Sequence, residues 1–159
     1  MTNTYNNLPT LNFPSFSFHI KKGDDGFHIF DIVRKKYVSL TPEEWVRQHF
    51  IHYLMSEKGY PQSLMANETQ IELNNIKLRC DTVVYDNTLT PKVIIEYKAP
   101  TVAITPNVFA QIARYNLVLK VDYLIISNGL KHYCCKMDYS TNSYTFLQEI
   151  PHYRQIITP

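Results

Sequence analysis

The sequence predicts a mixed α/β sandwich built around one sheet. Two stretches of helical periodicity each open with a Thr-Pro pair, at Thr41-Pro42 and Thr105-Pro106. Extended apolar runs lie between and after them, giving the order helix, three-strand meander, helix, strand, strand. The 159 residues suit one domain (1–159), divided into an N-terminal extension with a hairpin (1–40) and a core (41–138). With 45% apolar and 19% charged residues and only four glycines, collagen-like and disordered chains are excluded.

The Asn- and Pro-rich first fourteen residues are expected to wrap loosely or fray. In SFSFHIKKGDDGFHIFDIVRKKYVSL, alternating apolar residues flank Gly23-Asp24-Asp25-Gly26 and read as an N-terminal β-hairpin over one edge of the domain. Arg34, Lys35 and Lys36 read as a solvated face. Thr41 at N-cap, Pro42 at N1 and Glu44 at N3 form a capping box. Val46, Phe50, Tyr53 and Leu54 continue as a buried stripe, and Gly59 ends the helix.

Extended runs follow at 68–74, 77–85 and 92–98, the first two joined by an Asn74-Asn75 turn. A second helix runs from Thr105-Pro106 to about Lys120. The run 121–127 is apolar almost throughout and reads as an interior strand. Asn128-Gly129 turns the chain into a strand at 131–137, and 141–148 suits an edge strand. Cys80, Cys134 and Cys135 lack any C-x-x-C spacing and read as reduced, buried thiols. No membrane span or secretory signal is present in the sequence, so a cytoplasmic location is the expectation.

The net charge of +2 and pI near 8.4 neither announce nor oppose a polyanionic partner. The chemistry lies in a strand pair. If Val83 faces Ile94 and Tyr85 faces Lys92, then Asp81 faces Glu96 and Arg79 faces Lys98. Opposed carboxylates destabilise a sheet, and a hard divalent cation removes that penalty. An acid-x-Lys triplet such as Glu96-Tyr97-Lys98 is expected about once by chance at this composition, so its context gives it weight. Read from these residues alone, the alternative is that Asp81 and Glu96 form ion pairs with Arg79 and Lys98 instead. Glu68 is a further candidate acid. The histidines show no zinc spacing, and the aromatic residues mostly occupy core positions.

The runs T-P-E-E-W-V-R-Q at 41–48, R-C-D at 79–81, V-I-I-E-Y-K-A-P at 93–100, Q-I-A-R-Y-N at 111–116 and Y-L-I-I-S-N-G at 123–129 carry a resemblance. Over residues 41–138 the chain resembles the N-terminal nuclease domain of type I restriction enzyme R (motor) subunits, within the PD-(D/E)xK nuclease superfamily. The resemblance implies a restriction-endonuclease-like α/β fold, a central mixed sheet with an αβββαβ core flanked by helices. It also implies Mg²⁺-dependent DNA hydrolysis, with Mn²⁺ as a possible substitute. Asp81, Glu96 and the Tyr97 carbonyl would ligate the metal, Glu44 would help hold metal and water, and Lys98 would act on the attacking water or the phosphate. Gln111 and Tyr115 match a Q-x-x-x-Y element that would position the nucleic-acid backbone or the lysine.

Cys80 stands where the superfamily's name places proline. The sequence has no G-x-x-x-x-G-K-[ST], so it is not expected to pump DNA itself. Restriction-modification or helicase subunits are the expected protein partners, and a homodimer would supply two sites for cutting both strands. The alternative is a catalytically inactive DNA-binding or assembly module on the same fold.

Overall fold

The computed structural model describes residues 7–158; the side chains of Leu73 and residues 115–118 lie outside that description. The elements run β1 (Ile20–Gly23), β2 (Gly26–Asp31), β3 (Lys36–Ser39), α1 (Pro42–Lys58), β4 (Met65–Leu73), β5 (Ile76–Tyr85), β6 (Pro91–Tyr97), α2 (Pro106–Leu119), β7 (Tyr123–Ser127), β8 (His132–Asp138), β9 (Ser143–Leu147) and α3 (Tyr153–Ile157). A short 3-10 turn, Gln62–Leu64, precedes β4. Strands β4 to β9 form one six-stranded sheet in sequence order. Only β6 and β7 run parallel within it, because α2 carries the chain back between them. The mixed α/β architecture is therefore as expected.

The sheet is covered on both faces. On one, Val46, Phe50, Ile51 and Leu54 of α1 pack on Val84, Val93, Ile95, Tyr97 and Ile125. On the other, Phe109 and Ala113 of α2 pack on Val83, Ile94, Leu124 and Ile126. β7 is buried throughout, as a strand with both faces covered must be. Cys134 and Cys135 follow the same alternation, one joining each core. All three cysteines are free and buried.

Several local expectations need correction. The N-terminal extension is a three-stranded sheet rather than a hairpin. The second reversal forms because Asp31 Oδ1 accepts the amides of Val33 (2.8 Å) and Arg34 (3.2 Å), while Lys35 adopts a left-handed φ of 54°. Arg34 is not part of a solvated face: it turns inward onto Asp31 and Glu44. The capping box is half formed. Thr41 Oγ1 accepts the Glu44 amide at 3.1 Å, but the Glu44 carboxylate goes to Arg34 and Gln48 instead of back to Thr41.

The N-terminal segment does not fray along the part described, although residues 1–6 lie outside it. Leu11 is buried and Asn12 N–H donates to the Gly129 carbonyl at 2.8 Å. Asn74 and Asn75 both take left-handed φ, as a tight two-residue turn requires. Among the described residues no helix is long and apolar enough to cross a membrane.

Gly59 and Gly129 take positive φ for different reasons. Gly59, with φ 71°, ends α1 in open space, whereas Gly129, with φ 85°, sits under Leu11 and Val46, where an added Cβ would lie 2.7 Å from Leu11 Cδ2. Gly59→Ala should cost about 1 kcal/mol from backbone strain alone, and Gly129→Ala about 2–3 kcal/mol because overpacking adds to the strain. Urea unfolding of both variants measures the difference.

Candidate functional site

The site forms where strands β5 and β6 part. Their register is Val84↔Val93, Val83↔Ile94 and Thr82↔Ile95, and the ladder ends there. Tyr85 pairs with Pro91 rather than Lys92, since a bulge at Val84/Tyr85 absorbs one residue. Beyond Ile95, β6 stays with β7, and the Lys98 amide donates to the Ser127 carbonyl at 2.9 Å. On its other side the Tyr97 amide donates to Asp81 Oδ2, also at 2.9 Å. A carboxylate thus fills the gap where a ladder partner would continue.

Asp81 thereby meets Glu96. Burial, then the charge of Asp81 and a side-chain hydrogen bond to it, push the Glu96 carboxyl well above the usual carboxylate range; Lys98 opposes the shift without cancelling it. Glu96 is thus held toward its protonated form, first by burial and then because two adjacent carboxylates cannot both ionise cheaply. Lys98 and Glu96 line a cleft of about 350 Å³ together with Arg79, Lys77 and Gln111, over a floor that includes Ile94 and Leu124. Asp81 is not among the lining residues; it reaches Glu96 from the fork.

Asp81, Glu96 and Lys98 are therefore brought together, with Gln111 in the cleft wall. Tyr115 lies on α2, one turn after Gln111, but its side chain is outside the described residues. Glu44 is not brought into this group. It is buried on the α1 side, bonded to Arg34 Nη2 (2.8 Å) and Gln48 Nε2 (2.9 Å), with Arg47 Nε at 3.6 Å. Among the described residues no three His, Cys, Asp or Glu side chains are arranged to hold a metal ion. The donor set at the fork is two carboxylates. That number fits Mg²⁺, which commonly takes one or two carboxylates and completes its shell with water and substrate phosphate oxygens.

Arg79 pairs with Glu68, not with Asp81, and Glu68 is also bonded by Arg47. Burial raises the Glu68 pKa, but the two arginines hold it below the ordinary value. Glu68 has a left-handed φ of 56° between the paired residues Asn67↔Thr82 and Thr69↔Cys80, so it interrupts β4 directly across from Asp81. The sequence reading missed Arg47, Asn67 and Thr82. The available signal was Thr82 itself, a hydroxyl at a position facing the α1 core in a strand whose next residues are valines.

A central mixed sheet with helices on both faces, and an acid pair beside a lysine where two strands part, define a restriction-endonuclease-like α/β fold. The chain belongs to the family described as type I restriction enzyme R protein N terminus, whose sequence model matches residues 42–151. A solved structure similar in fold is a fragment described as an HsdR subunit of a type I restriction enzyme from Vibrio vulnificus YJ016. It aligns with a TM-score of 0.51 at 16% identity over 74% of this chain. The chain spans about a quarter (24%) of that protein's length. Among curated proteins there is no significant match.

A carboxyl with a raised pKa keeps its proton in the folded state after the unfolded chain has lost it. In metal-free protein, stability should therefore fall as pH rises from the ordinary carboxyl value of 4.5 toward the raised folded value of Glu96. The steepest slope that one proton allows is about 1.4 kcal/mol per pH unit. Urea titrations across this range should show the decline in wild type and a flatter profile in Glu96→Gln.

Proposed function

We propose that this protein is a metal-dependent nuclease that hydrolyses DNA phosphodiester bonds in the cleft between β5, β6 and α2. The observation that carries the proposal is the Asp81–Glu96 pair. Two acids brought side by side at half-buried positions, where the strands part beside a lysine, suit a cation more than they suit a sheet. Asp81 and Glu96 would hold Mg²⁺, with the Tyr97 carbonyl as a third oxygen. When bound, the cation supplies charge that neutralises the phosphate and acidifies the attacking water.

The remaining roles belong to side chains of this chain. Glu96 would hold the cation as a carboxylate, its proton released to solvent. Lys98 orients the water and stabilises negative charge developing on the phosphate, an electrostatic role open to an ammonium fixed at the end of a buried strand. Gln111, on the cleft wall, contacts the nucleic-acid backbone, and Tyr115 follows it on the same helix face. Lys77 adds positive charge along the β5 side, where Arg79 is already paired with Glu68. Glu44 keeps Arg34 and Arg47 in place and stands outside the donor set.

Restriction-modification or helicase subunits would be the partners; the Vibrio structure is itself described as a subunit of a type I restriction enzyme. A second reading is a DNA-binding or assembly module without catalysis. It is favoured by the near-neutral net charge of +2.

The test is cleavage of plasmid and linear DNA with Mg²⁺ or Mn²⁺. Asp81→Ala and Lys98→Ala should each lose activity by a factor on the order of 10²–10³. Calorimetry should show that Asp81→Ala abolishes cation binding while Lys98→Ala retains it. Equal background cleavage in all three proteins would defeat the nuclease reading. DNA affinity that survives EDTA and falls steeply with salt would then favour the binding module.

A further inference from the structure

Behind the acid pair, on the α1 face of the sheet, lies a buried chain of hydrogen bonds. The Tyr97 hydroxyl donates to Thr82 Oγ1 at 2.9 Å, Thr82 donates to Asn67 Oδ1 at 2.7 Å, and Asn67 Nδ2 donates to Asp31 Oδ2 at 2.9 Å. Every donor points the same way, toward the Asp31 carboxylate, so each bond polarises the next. Tyr97, Thr82, Asn67 and Asp31 are all at least nine-tenths buried. The Arg47 guanidinium sits 5.6 Å from the centre of the Tyr97 ring and closes the far side.

The placement of this chain is informative. Thr82 follows Asp81, and Tyr97 lies between Glu96 and Lys98. The first bond runs diagonally from Tyr97, two residues beyond the last ladder pair, back to Thr82 of that pair, just where the strands begin to part. It crosses the fork on one face while the Asp81–Glu96 pair occupies the other. Its anchor, Asp31, belongs to the N-terminal sheet, outside the family-matched stretch 42–151.

We propose that Tyr97 and Thr82 are positioning residues: their hydroxyl bridge, braced through Asn67 by Asp31, sets the opening of the fork and hence the spacing of the Asp81 and Glu96 carboxylates. This rests on the reading of those carboxylates as metal ligands. The bridge holds the two acids close against their repulsion, so the cation meets a formed pair instead of assembling one. The N-terminal sheet thereby becomes a structural part of the site.

The test separates the bridge from the metal. In metal-free protein, hydrogen exchange is read at the amide of residue 97, which donates to Asp81, and at amides 124–126 of β7. Tyr97→Phe and Thr82→Val should each lose about tenfold protection at residue 97 with β7 unchanged, and Thr82→Ser should keep it. Titration with Mn²⁺ should show half-saturation raised about tenfold in the first two variants and restored in Thr82→Ser. Should Thr82→Val fail to fold, Tyr97→Phe and Thr82→Ser decide alone.

Wild-type protection at residue 97 in Tyr97→Phe would overturn the proposal. So would an equal loss across β7, which would make the bridge an ordinary stabilising contact. Wild-type protein that binds no Mn²⁺ through Asp81 would overturn the metal reading, while the exchange data still decide whether the bridge governs the fork.

Discussion

The amide of Tyr97 donates to a carboxylate where a continuous sheet would have given it a carbonyl. That single substitution governs the functional end of the molecule. It ends the β5–β6 ladder at Thr82↔Ile95 and brings Asp81 beside Glu96. β6 cannot move to relieve the crowding, because β7 holds it on the other side and is itself buried between two cores. The strain of two neighbouring acids is therefore met by protonation, which is a chemical response, rather than by backbone movement.

Much of the surrounding structure serves this arrangement. α1 and α2 cover opposite faces of the sheet, and the alternation along β6 sends Tyr97 toward α1 and Glu96 toward α2. The α1 side is a packed polar network of Asp31, Arg34, Glu44, Arg47 and Glu68, whose surplus carboxylate, Glu68, also takes Arg79. The α2 side is an open cleft whose lysines, Lys77 and Lys98, leave room for an anion. One face of the fork is closed and braced, and the other is accessible. Glu44 lies on the closed face, which accounts for its bonds to arginines.

The helices and the sheet were legible in the sequence because each rests on local chemistry. Thr-Pro pairs open α1 and α2, Gly59 ends α1, and an uninterrupted apolar run marks β7. The pairing of Val83 with Ile94 was also legible, since apolar alternation allows few registers. What was not legible depends on side chains distant in sequence. The third N-terminal strand requires Asp31 to capture two amides, and the capture of Glu44 requires Arg34 from that same turn. A capping box predicts a returning glutamate only when no buried guanidinium competes for it. The carboxylate pair was foreseen from register, but the polar chain behind it joins residues 31, 67, 82 and 97, and no spacing rule connects these.

The side-by-side cysteines of β8 carry a further consequence. Because neighbouring strand residues project to opposite faces, Cys134 and Cys135 enter separate cores and cannot join to each other. Burial pushes their thiols, and that of Cys80, up to about 12. At pH 7 the reactive thiolate is on the order of one molecule in 10⁵. While the fold persists, alkylating reagents meet Cys80, Cys134 and Cys135 as buried neutral thiols, and labelling of any of the three reports unfolding.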